Sequence, residues 1–283
     1  MLKYFTLFFL VSLSCCNNKT SLINRQRYAQ ELVLNSKLES SIIKTKNFFL
    51  LTYIHISDPE SKNLNIYIEG DGLAWKNRYT ISSNPTPTNP IALKLAIIDK
   101  NSNVAYIARP CQYVDLKTDL NCQSKYWSQA RFAKSVIDST NEAIDQIVKR
   151  YQIESINLYG YSGGAAVATL VARTRTDVKS IITIAGNLNH KELTKIHKVT
   201  PLYDSLNPID FIEQIKTLPS YHIAGEKDKV IPSTIIKDFV QKINDSGGCA
   251  KFKEIPEATH EFNKWPEILL ELLKDPEALK CNN

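Results

Sequence analysis

The sequence predicts a three-layer α/β/α fold with a mostly parallel sheet and a small cap insertion. Short apolar runs recur along the chain, and several are apolar throughout, as strands buried on both faces require. Amphipathic helical patterns lie between these runs, and this alternation is typical of a three-layer sheet. The predicted strands cover 48–56, 64–68, 104–108, 156–159, 180–185, 221–224 and 251–255. The predicted helices cover 90–98, 128–150, 164–172, 233–243 and 266–273.

The composition is that of a folded globular chain. It has 283 residues, of which 43% are hydrophobic and 23% are charged, which is enough for one large domain and does not indicate disorder. The net charge is +6, but the basic residues are scattered and form no long block. We therefore expect a mildly basic surface and no nucleic-acid partner.

The chain shows no internal repeat and no low-complexity linker. We divide it into a signal peptide at 1–15, an N-terminal tether or helix at 16–46, and one α/β domain at 47–283. A cap segment at about 186–219 separates two predicted strands. The proline-containing segment 77–90 is predicted to be a surface loop, and long loops at one end of a sheet are often functional.

The N-terminus resembles a bacterial lipoprotein signal. Lys3 precedes an apolar run from Tyr4 to Ser14, which is too short to span a membrane. The run ends at Cys15 and Cys16, and either cysteine is a candidate for lipidation. The alternative is ordinary cleavage without a lipid. Both interpretations predict export, either to the cell envelope with a membrane tether through the lipid or as a secreted protein.

The remaining cysteines are even in number, which in an exported chain favours disulfides. They are Cys111, Cys122, Cys249 and Cys281, and locality favours the pairs Cys111–Cys122 and Cys249–Cys281. No Cys-x-x-Cys or His-x-x-x-His spacing is present, so the sequence predicts no metal site.

The clearest chemical motif follows the predicted strand 156–159. Ser162 lies between Gly160 and Gly164, and an alanine-rich helical segment comes next. A serine on such a strand-to-helix turn projects its hydroxyl above the sheet, and the flanking glycines allow strand and helix to approach closely. The alternative is a tight glycine turn with an incidental serine. We expect Ser162 to be a nucleophile.

A serine nucleophile needs a base and an acid that orients it. His260 follows the last predicted strand and is the preferred base. His222 lies inside an apolar run and favours a core role, and the cap residues His190 and His197 favour a solvent-facing position. For the acid, Asp228 at the end of a predicted strand is preferred. The rival acids are Glu226 and, less favoured, Asp210 in the cap.

These motifs resemble the α/β-hydrolase superfamily. The resemblance rests on Gly-Tyr-Ser-Gly-Gly at 160–164, Gly-Glu-Lys-Asp at 225–228 and Ala-Thr-His at 258–260. The segments 67–75 and 108–113 also resemble a bacterial branch of exported, lipoprotein-like serine hydrolases. The resemblance implies a triad of Ser162, Asp228 and His260. It does not supply a substrate.

The segment Glu69-Gly70-Asp71-Gly72 occupies the place of the glycine-rich oxyanion loop of lipases and esterases, although it lacks their usual His-Gly start. We expect the N–H of Gly163 and that of Gly72 or Leu73 to form the oxyanion hole. Candidate substrate-pocket residues are Asp71, Tyr161, Trp127 and His190. Asp71 is equally consistent with a turn residue, and Trp127 with a helix anchor. Arg109 is either structural or a carboxylate-binding residue.

The favoured function is hydrolysis of a carboxylic ester through an acyl-enzyme, with a small-molecule or lipid ester as substrate and no cofactor. Acyl transfer or peptide cleavage on the same residues is the alternative, because one fold supports all three reactions. A third possibility is a non-catalytic envelope lipoprotein that binds a partner through the same scaffold.

Overall fold

The computed structural model describes residues 21–100, 102–275 and 279–280. Its strands are β1 Glu39–Lys44, β2 Phe49–His55, β3 Asn63–Ile68, β4 Trp75–Asn77, β5 Thr80–Ile81, β6 Val104–Ile107, β7 Ser155–Tyr161, β8 Val178–Ile184, β9 Ser220–Gly225 and β10 Ala250–Ile255. Its α-helices are α1 Leu22–Val33, α2 Ile91–Ile98, α3 Lys134–Tyr151, α4 Gly163–Ala172, α5 His190–Ile196, α6 Ile212–Ile215, α7 Ser233–Asp245 and α8 Trp265–Leu273.

Eight of these strands form one sheet in the order β1-β2-β6-β3-β7-β8-β9-β10. Strand β2 runs antiparallel to both of its neighbours, and every other adjacent pair is parallel. The carboxyl ends of seven strands therefore meet at one edge of the sheet, which we term the carboxyl edge. The predicted mostly parallel α/β sheet is confirmed.

Helices cover both faces of the sheet. Strand β3 presents buried side chains to both helical layers. Leu64, Ile66 and Ile68 pack with α3 and α4 on one face, and Tyr67 packs with α2 and α8 on the other. Helix α4 is buried at every position, in keeping with a sequence that is apolar all round. Helix α7 is amphipathic and packs its buried residues beside α4. These are the three predicted layers.

The predicted N-terminal segment 16–46 contains helix α1, but it also contains strand β1, which the prediction missed. The residues Glu39–Lys44 are mostly polar, and only Ile43 is buried. Because β1 is an edge strand, its register comes from hydrogen bonds to β2 and not from an apolar pattern. Local sequence therefore carried little strand signal there.

The segment 77–90 is not the simple surface loop that was predicted. Its first residues pair with Trp75–Asn77 in a two-stranded hairpin, and residues 84–87 are buried. Arg25 of α1 donates to the carbonyl oxygens of Asn84 and Thr86, which explains how polar backbone is buried there. The predicted helix 128–150 also begins late, at Lys134, because the preceding residues form turns.

The predictions about the disulfides and the N-terminus concern residues that the structure describes only in part. The Cys111–Cys122 disulfide is present. Cys281, the expected partner of Cys249, lies outside the described residues, as do the predicted signal peptide and the lipidation candidates Cys15 and Cys16. Within residues 21–275, apart from residue 101, no helix is long and apolar enough to cross a membrane.

Candidate active site

Ser162 lies on a sharp turn between β7 and α4. Its backbone has φ 53° and ψ −118°, a conformation that costs a residue with a side chain about 1–3 kcal/mol. A Cβ on Gly160 would lie 2.4 Å from the Cα of Ala165, and one on Gly164 would lie 2.2 Å from the carbonyl oxygen of Ile68. Only glycine fits at either position, so the Gly-x-Ser-x-Gly spacing follows from the close approach of strand and helix.

The side chains of Ser162, His260 and Asp228 form one hydrogen-bonded chain. The Nε2 atom of His260 is 2.9 Å from Ser162 Oγ, and its Nδ1 atom is 2.7 Å from Asp228 Oδ2. With the proton on Nδ1, the imidazole donates to the carboxylate and accepts from the serine hydroxyl. Three residues distant in sequence therefore meet at the carboxyl edge with the geometry of a nucleophile, a base and an orienting acid.

Each member of this chain is held by its surroundings. Asp228 is buried, and its Oδ1 accepts hydrogen bonds of 2.8 Å from the N–H groups of Val230 and Ile231, which aims Oδ2 at the imidazole. The backbone carbonyl of His260 accepts hydrogen bonds from Tyr161 Oη at 3.0 Å and Trp265 Nε1 at 2.9 Å. The geometry is thus fixed by the neighbours of the three residues.

The rival acids lie elsewhere. Glu226 is exposed and accepts a hydrogen bond from the N–H of Glu257, and Asp210 forms an ion pair with Lys191 at 2.6 Å. Neither carboxylate contacts His260. The structure brings Asp228, and not Glu226 or Asp210, to the imidazole.

The other histidines do not reach Ser162. His222 is buried within β9, where its Nδ1 lies 2.8 Å from Thr183 Oγ1 and burial lowers its pKa to about 3. His197 is bound to the carbonyl oxygen of Val230. The expectation that His190 faces solvent is wrong, because it is 2% exposed and burial lowers its pKa. The cap folds this residue inward, with its ring 6.0 Å from that of Phe132.

The predicted oxyanion loop, residues 69–73, lies directly before the hairpin of β4 and β5. The N–H of Leu73 donates to the carbonyl oxygen of Pro85 at 3.0 Å, so it is not available to a substrate, and that part of the prediction is wrong. Within the described part of the chain, the N–H groups of Asp71, Gly72 and Gly163 donate to no protein acceptor. Gly163 begins α4, where the helix dipole adds positive potential. The backbone donors available near Ser162 are therefore those of Gly163 and of the Asp71–Gly72 segment.

A family comparison adds to this geometry. Residues 92–258 match the family described as "Serine hydrolase (FSH1)", which is more than half of the chain and includes Ser162 and Asp228. The chain belongs to the FSH1 serine hydrolase family. A search of curated proteins found no match.

Solved structures show the fold of this FSH1-family chain. An alpha-beta serine hydrolase homologue from Coxiella burnetii is 18% identical with a TM-score of 0.58, over 83% of this chain and 95% of the other. Est1E from Butyrivibrio proteoclasticus is 15% identical with a TM-score of 0.58, over 83% and 96%. The Pyrococcus furiosus esterase PF2001 is 13% identical with a TM-score of 0.57, over 87% and 92%. These likenesses establish the α/β-hydrolase fold of the FSH1-family chain.

A charged cluster lies beside the turn that carries Ser162. Asp71 Oδ1 is 3.2 Å from Arg109 Nη1, and its Oδ2 is 2.7 Å from Arg131 Nη1. The guanidinium of Arg109 also donates to the carbonyl oxygen of Arg131 and lies over the ring of Phe132. Burial alone would raise the pKa of Asp71, but the two guanidinium groups outweigh it, so the pKa is lowered. Asp71 is therefore an ionised anchor of the oxyanion loop.

The same cluster reaches the start of α4. A Cβ on Gly163 would lie 2.0 Å from Asp71 Oδ1, so the carboxylate packs directly on this glycine. Arg109 and Arg131 together carry more charge than Asp71, and the cluster has a net positive charge beside the N–H of Gly163. The charge of the Asp71 carboxylate is therefore compensated where it packs on Gly163.

Glu69 supports the loop from behind. Its buried carboxylate accepts hydrogen bonds from the N–H of Gly70 at 2.9 Å and from Tyr106 Oη at 3.2 Å, and it faces the first turn of α2. Burial raises the pKa of Glu69 to about 7, although these hydrogen bonds oppose the rise. Glu69 therefore joins the end of β3 to the start of α2.

The remaining pocket candidates have structural roles in the FSH1-family chain. Trp127 is buried, and its Nε1 donates to the carbonyl oxygen of Ser82 at 2.9 Å, which matches the anchor interpretation. Tyr161 supports the backbone of His260. Within the described residues, no group of three histidine, cysteine or acidic side chains is placed to hold a metal ion.

Sequence reasoning missed two residues that hold the site. Arg131 was assigned to a predicted helix, but it lies in a turn and reaches Asp71, which is 60 positions away. Trp265 binds the carbonyl of His260 and is completely buried. Neither residue belongs to a local motif.

Proposed function

We propose that the protein hydrolyses carboxylic esters through Ser162, His260 and Asp228. The observation that carries the proposal is the continuous hydrogen-bonded chain from Ser162 Oγ through His260 to Asp228 Oδ2, with distances of 2.9 and 2.7 Å. A serine hydroxyl is a weak nucleophile at neutral pH until a neighbouring base accepts its proton. Membership of a serine hydrolase family supports the assignment.

In the first half of the reaction, Ser162 Oγ forms a bond to the ester carbonyl carbon while His260 Nε2 accepts the hydroxyl proton. Asp228 stabilises the imidazolium that results. Collapse of the tetrahedral intermediate breaks the carbon–oxygen bond to the alcohol, which takes the proton from His260. In the second half, water attacks the acyl-enzyme and gives its proton to the same nitrogen, which returns it to Ser162.

The negative charge of each tetrahedral intermediate develops on the former carbonyl oxygen. The N–H of Gly163 at the start of α4 and an N–H of the Asp71–Gly72 segment are the donors proposed to receive it. One such donor is worth roughly 10²–10³ in rate, because it is already oriented before charge develops. Asp71, Arg109 and Arg131 hold the loop donor in place.

Ester substrates are supported by a structural neighbour that is named as an esterase, PF2001. A peptidase or an acyltransferase would use the same first half-reaction and differ in the leaving group or in the acceptor. The first assay is therefore turnover of p-nitrophenyl esters of increasing chain length, with the matching anilides as the amide comparison. We expect the esters to be hydrolysed and the anilides to remain uncleaved.

Ser162→Ala tests the nucleophile. We expect kcat for the p-nitrophenyl esters to fall by about 10⁴-fold or more, and labelling by a fluorophosphonate to disappear. Asp228→Asn should lower kcat by about 10⁴-fold, because the amide favours the wrong imidazole tautomer. Ser246→Ala, at the end of α7, is the control and should leave both signals unchanged. Fluorophosphonate labelling of Ser162→Ala equal to that of the unmodified protein would refute the assignment.

A further inference from the structure

Large apolar side chains are exposed on three separate loops at the carboxyl edge. We term them the apolar rim: Trp75, Tyr79, Ile81, Ile196, Val199, Tyr203 and Val230. Tyr79 and Tyr203 are 86% and 80% exposed, and several large exposed side chains at one end of a molecule are typical of an interaction surface. This exposure does not stabilise the fold, because removing these apolar side chains from water would be favourable.

The loops of the apolar rim are joined to one another. Arg78, in the hairpin that follows β3, donates to the carbonyl oxygens of His197 and Lys198 at 3.2 Å. The His197 ring lies 2.8 Å from the carbonyl oxygen of Val230, in the loop after β9. Ser162 also follows a parallel strand, β7, at this edge. The apolar rim and the nucleophile therefore lie at the same end of the molecule.

The same loops carry exposed basic residues. Lys76, Lys198 and Lys229 are exposed, and none of them pairs with a carboxylate among the described residues. Two of the nearby carboxylates form ion pairs, Glu192 with Lys195 and Glu257 with Lys227, whereas Asp204 and Glu226 accept hydrogen bonds from uncharged groups and keep their negative charge. The basic side chains of these segments outnumber their four carboxylates, so the surroundings of the apolar rim carry a net positive charge. The basic residues are Lys76, Arg78, Lys195, Lys198, Lys227 and Lys229.

We propose that the apolar rim binds the surface of an anionic lipid bilayer. Tryptophan and tyrosine favour the boundary between headgroups and acyl chains, where an amphipathic ring is half buried. Lysines beside them gain from the negative potential of anionic headgroups. Exposed aromatic side chains and unpaired lysines on adjacent loops therefore interact more favourably with an anionic bilayer surface than with bulk water.

Binding in this orientation turns the carboxyl edge, and with it Ser162, toward the bilayer. The proposal does not depend on the proposed ester hydrolysis, because docking needs only the apolar rim and its lysines. If both hold, an ester dissolved in the bilayer reaches Ser162 without crossing water.

The fluorescence of Trp75 provides a direct test of docking. This residue is 39% exposed, whereas the other two tryptophans, Trp127 and Trp265, are 5% and 0% exposed. We expect vesicles of phosphatidylglycerol brominated in the acyl chains to quench the fluorescence of the full chain. Trp75→Phe should remove the quenched component. Because the N-terminal segment is identical in both proteins, any tethering by that segment affects them equally.

The charge contribution is tested by removing single lysines. Lys76→Ser and Lys229→Ser should each weaken partition onto phosphatidylglycerol vesicles by roughly fivefold, since one basic residue near such a surface contributes about 1 kcal/mol. Lys37→Ser is the matched control, because Lys37 is exposed but lies near the start of β1, at the opposite edge. Tyr79→Ser, compared with Leu34→Ser, tests the apolar contribution in the same way; Leu34 is 79% exposed.

Four results would overturn the proposal. The first is vesicle-bound protein whose fluorescence is quenched equally with and without Trp75. The second is equal partition onto phosphatidylglycerol and phosphatidylcholine vesicles. The third is an equal change in vesicle partition for the lysine variants and for the Lys37→Ser control. Self-association through the apolar rim without any lipid binding would also contradict it.

Discussion

Replacing Asp71 by asparagine tests the charged cluster beside the oxyanion loop. Asparagine is nearly isosteric and keeps one oxygen acceptor, so the change removes charge more than shape. Arg109 and Arg131, whose side chains are 5% and 15% exposed, would then face each other without an anion. The free energy of unfolding should fall because an uncompensated buried charge is costly.

The structure sets the size of this effect. Breaking a fully buried ion pair by removing one partner costs about 3–5 kcal/mol. Asp71 and Arg131 keep 17% and 15% of their side-chain exposure, and water screens part of the remaining repulsion. We therefore expect Asp71→Asn to lower the free energy of unfolding by about 2–3 kcal/mol.

Urea unfolding followed by circular dichroism at pH 7 is the assay. Asp138→Asn is the matched control, because Asp138 pairs with Lys134 at 2.6 Å on an exposed helix surface. Such a pair contributes about 0.5 kcal/mol or less. If the two variants lose the same stability, the interpretation of Asp71 as a charge-compensating anchor is wrong.

The loss should also depend on pH in one direction. The pKa of Asp71 is lowered in the folded protein, so its stabilising effect is complete above the pKa of the unfolded chain. It disappears as the pH falls through the folded pKa. The stability difference between the unmodified protein and Asp71→Asn should therefore shrink at pH values below about 4. A difference that grows on acidification would contradict this sign.

Two further predictions concern Glu69 and the disulfide. Burial raises the pKa of Glu69 from 4.5 to about 7, so this residue makes the protein lose up to about 3 kcal/mol of stability as the pH rises through that interval. Glu69→Gln should flatten urea-unfolding stability between pH 5 and 7.5, and an unchanged slope would contradict the assignment. The Cys111–Cys122 disulfide closes a short loop, and replacing both cysteines by alanine should lower the free energy of unfolding by about 2–3 kcal/mol. Equal stability of the double variant and the unmodified protein, both kept oxidised, would show that the loop is held by other contacts.

Much of the fold could be predicted because local sequence and tertiary environment agree. The central strands are buried on both faces, and they are apolar runs of the right length. The same holds for the elbow, because Gly160 and Gly164 have no space for a Cβ. Strand β1 could not be predicted, since its pairing with β2 depends on backbone hydrogen bonds and not on which side chains are apolar.

The sequence by itself determined the order of the seven predicted strands and five predicted helices, the strained turn at Ser162, and the small set of acids and bases that follow it. These features depend on side-chain periodicity and on steric limits between near neighbours in the chain. Only the tertiary structure decided which acid meets His260, that the N–H of Leu73 is already bound to Pro85, and that Arg131 reaches Asp71. Those choices depend on distances between residues far apart in sequence, and a spacing along the chain does not encode such distances.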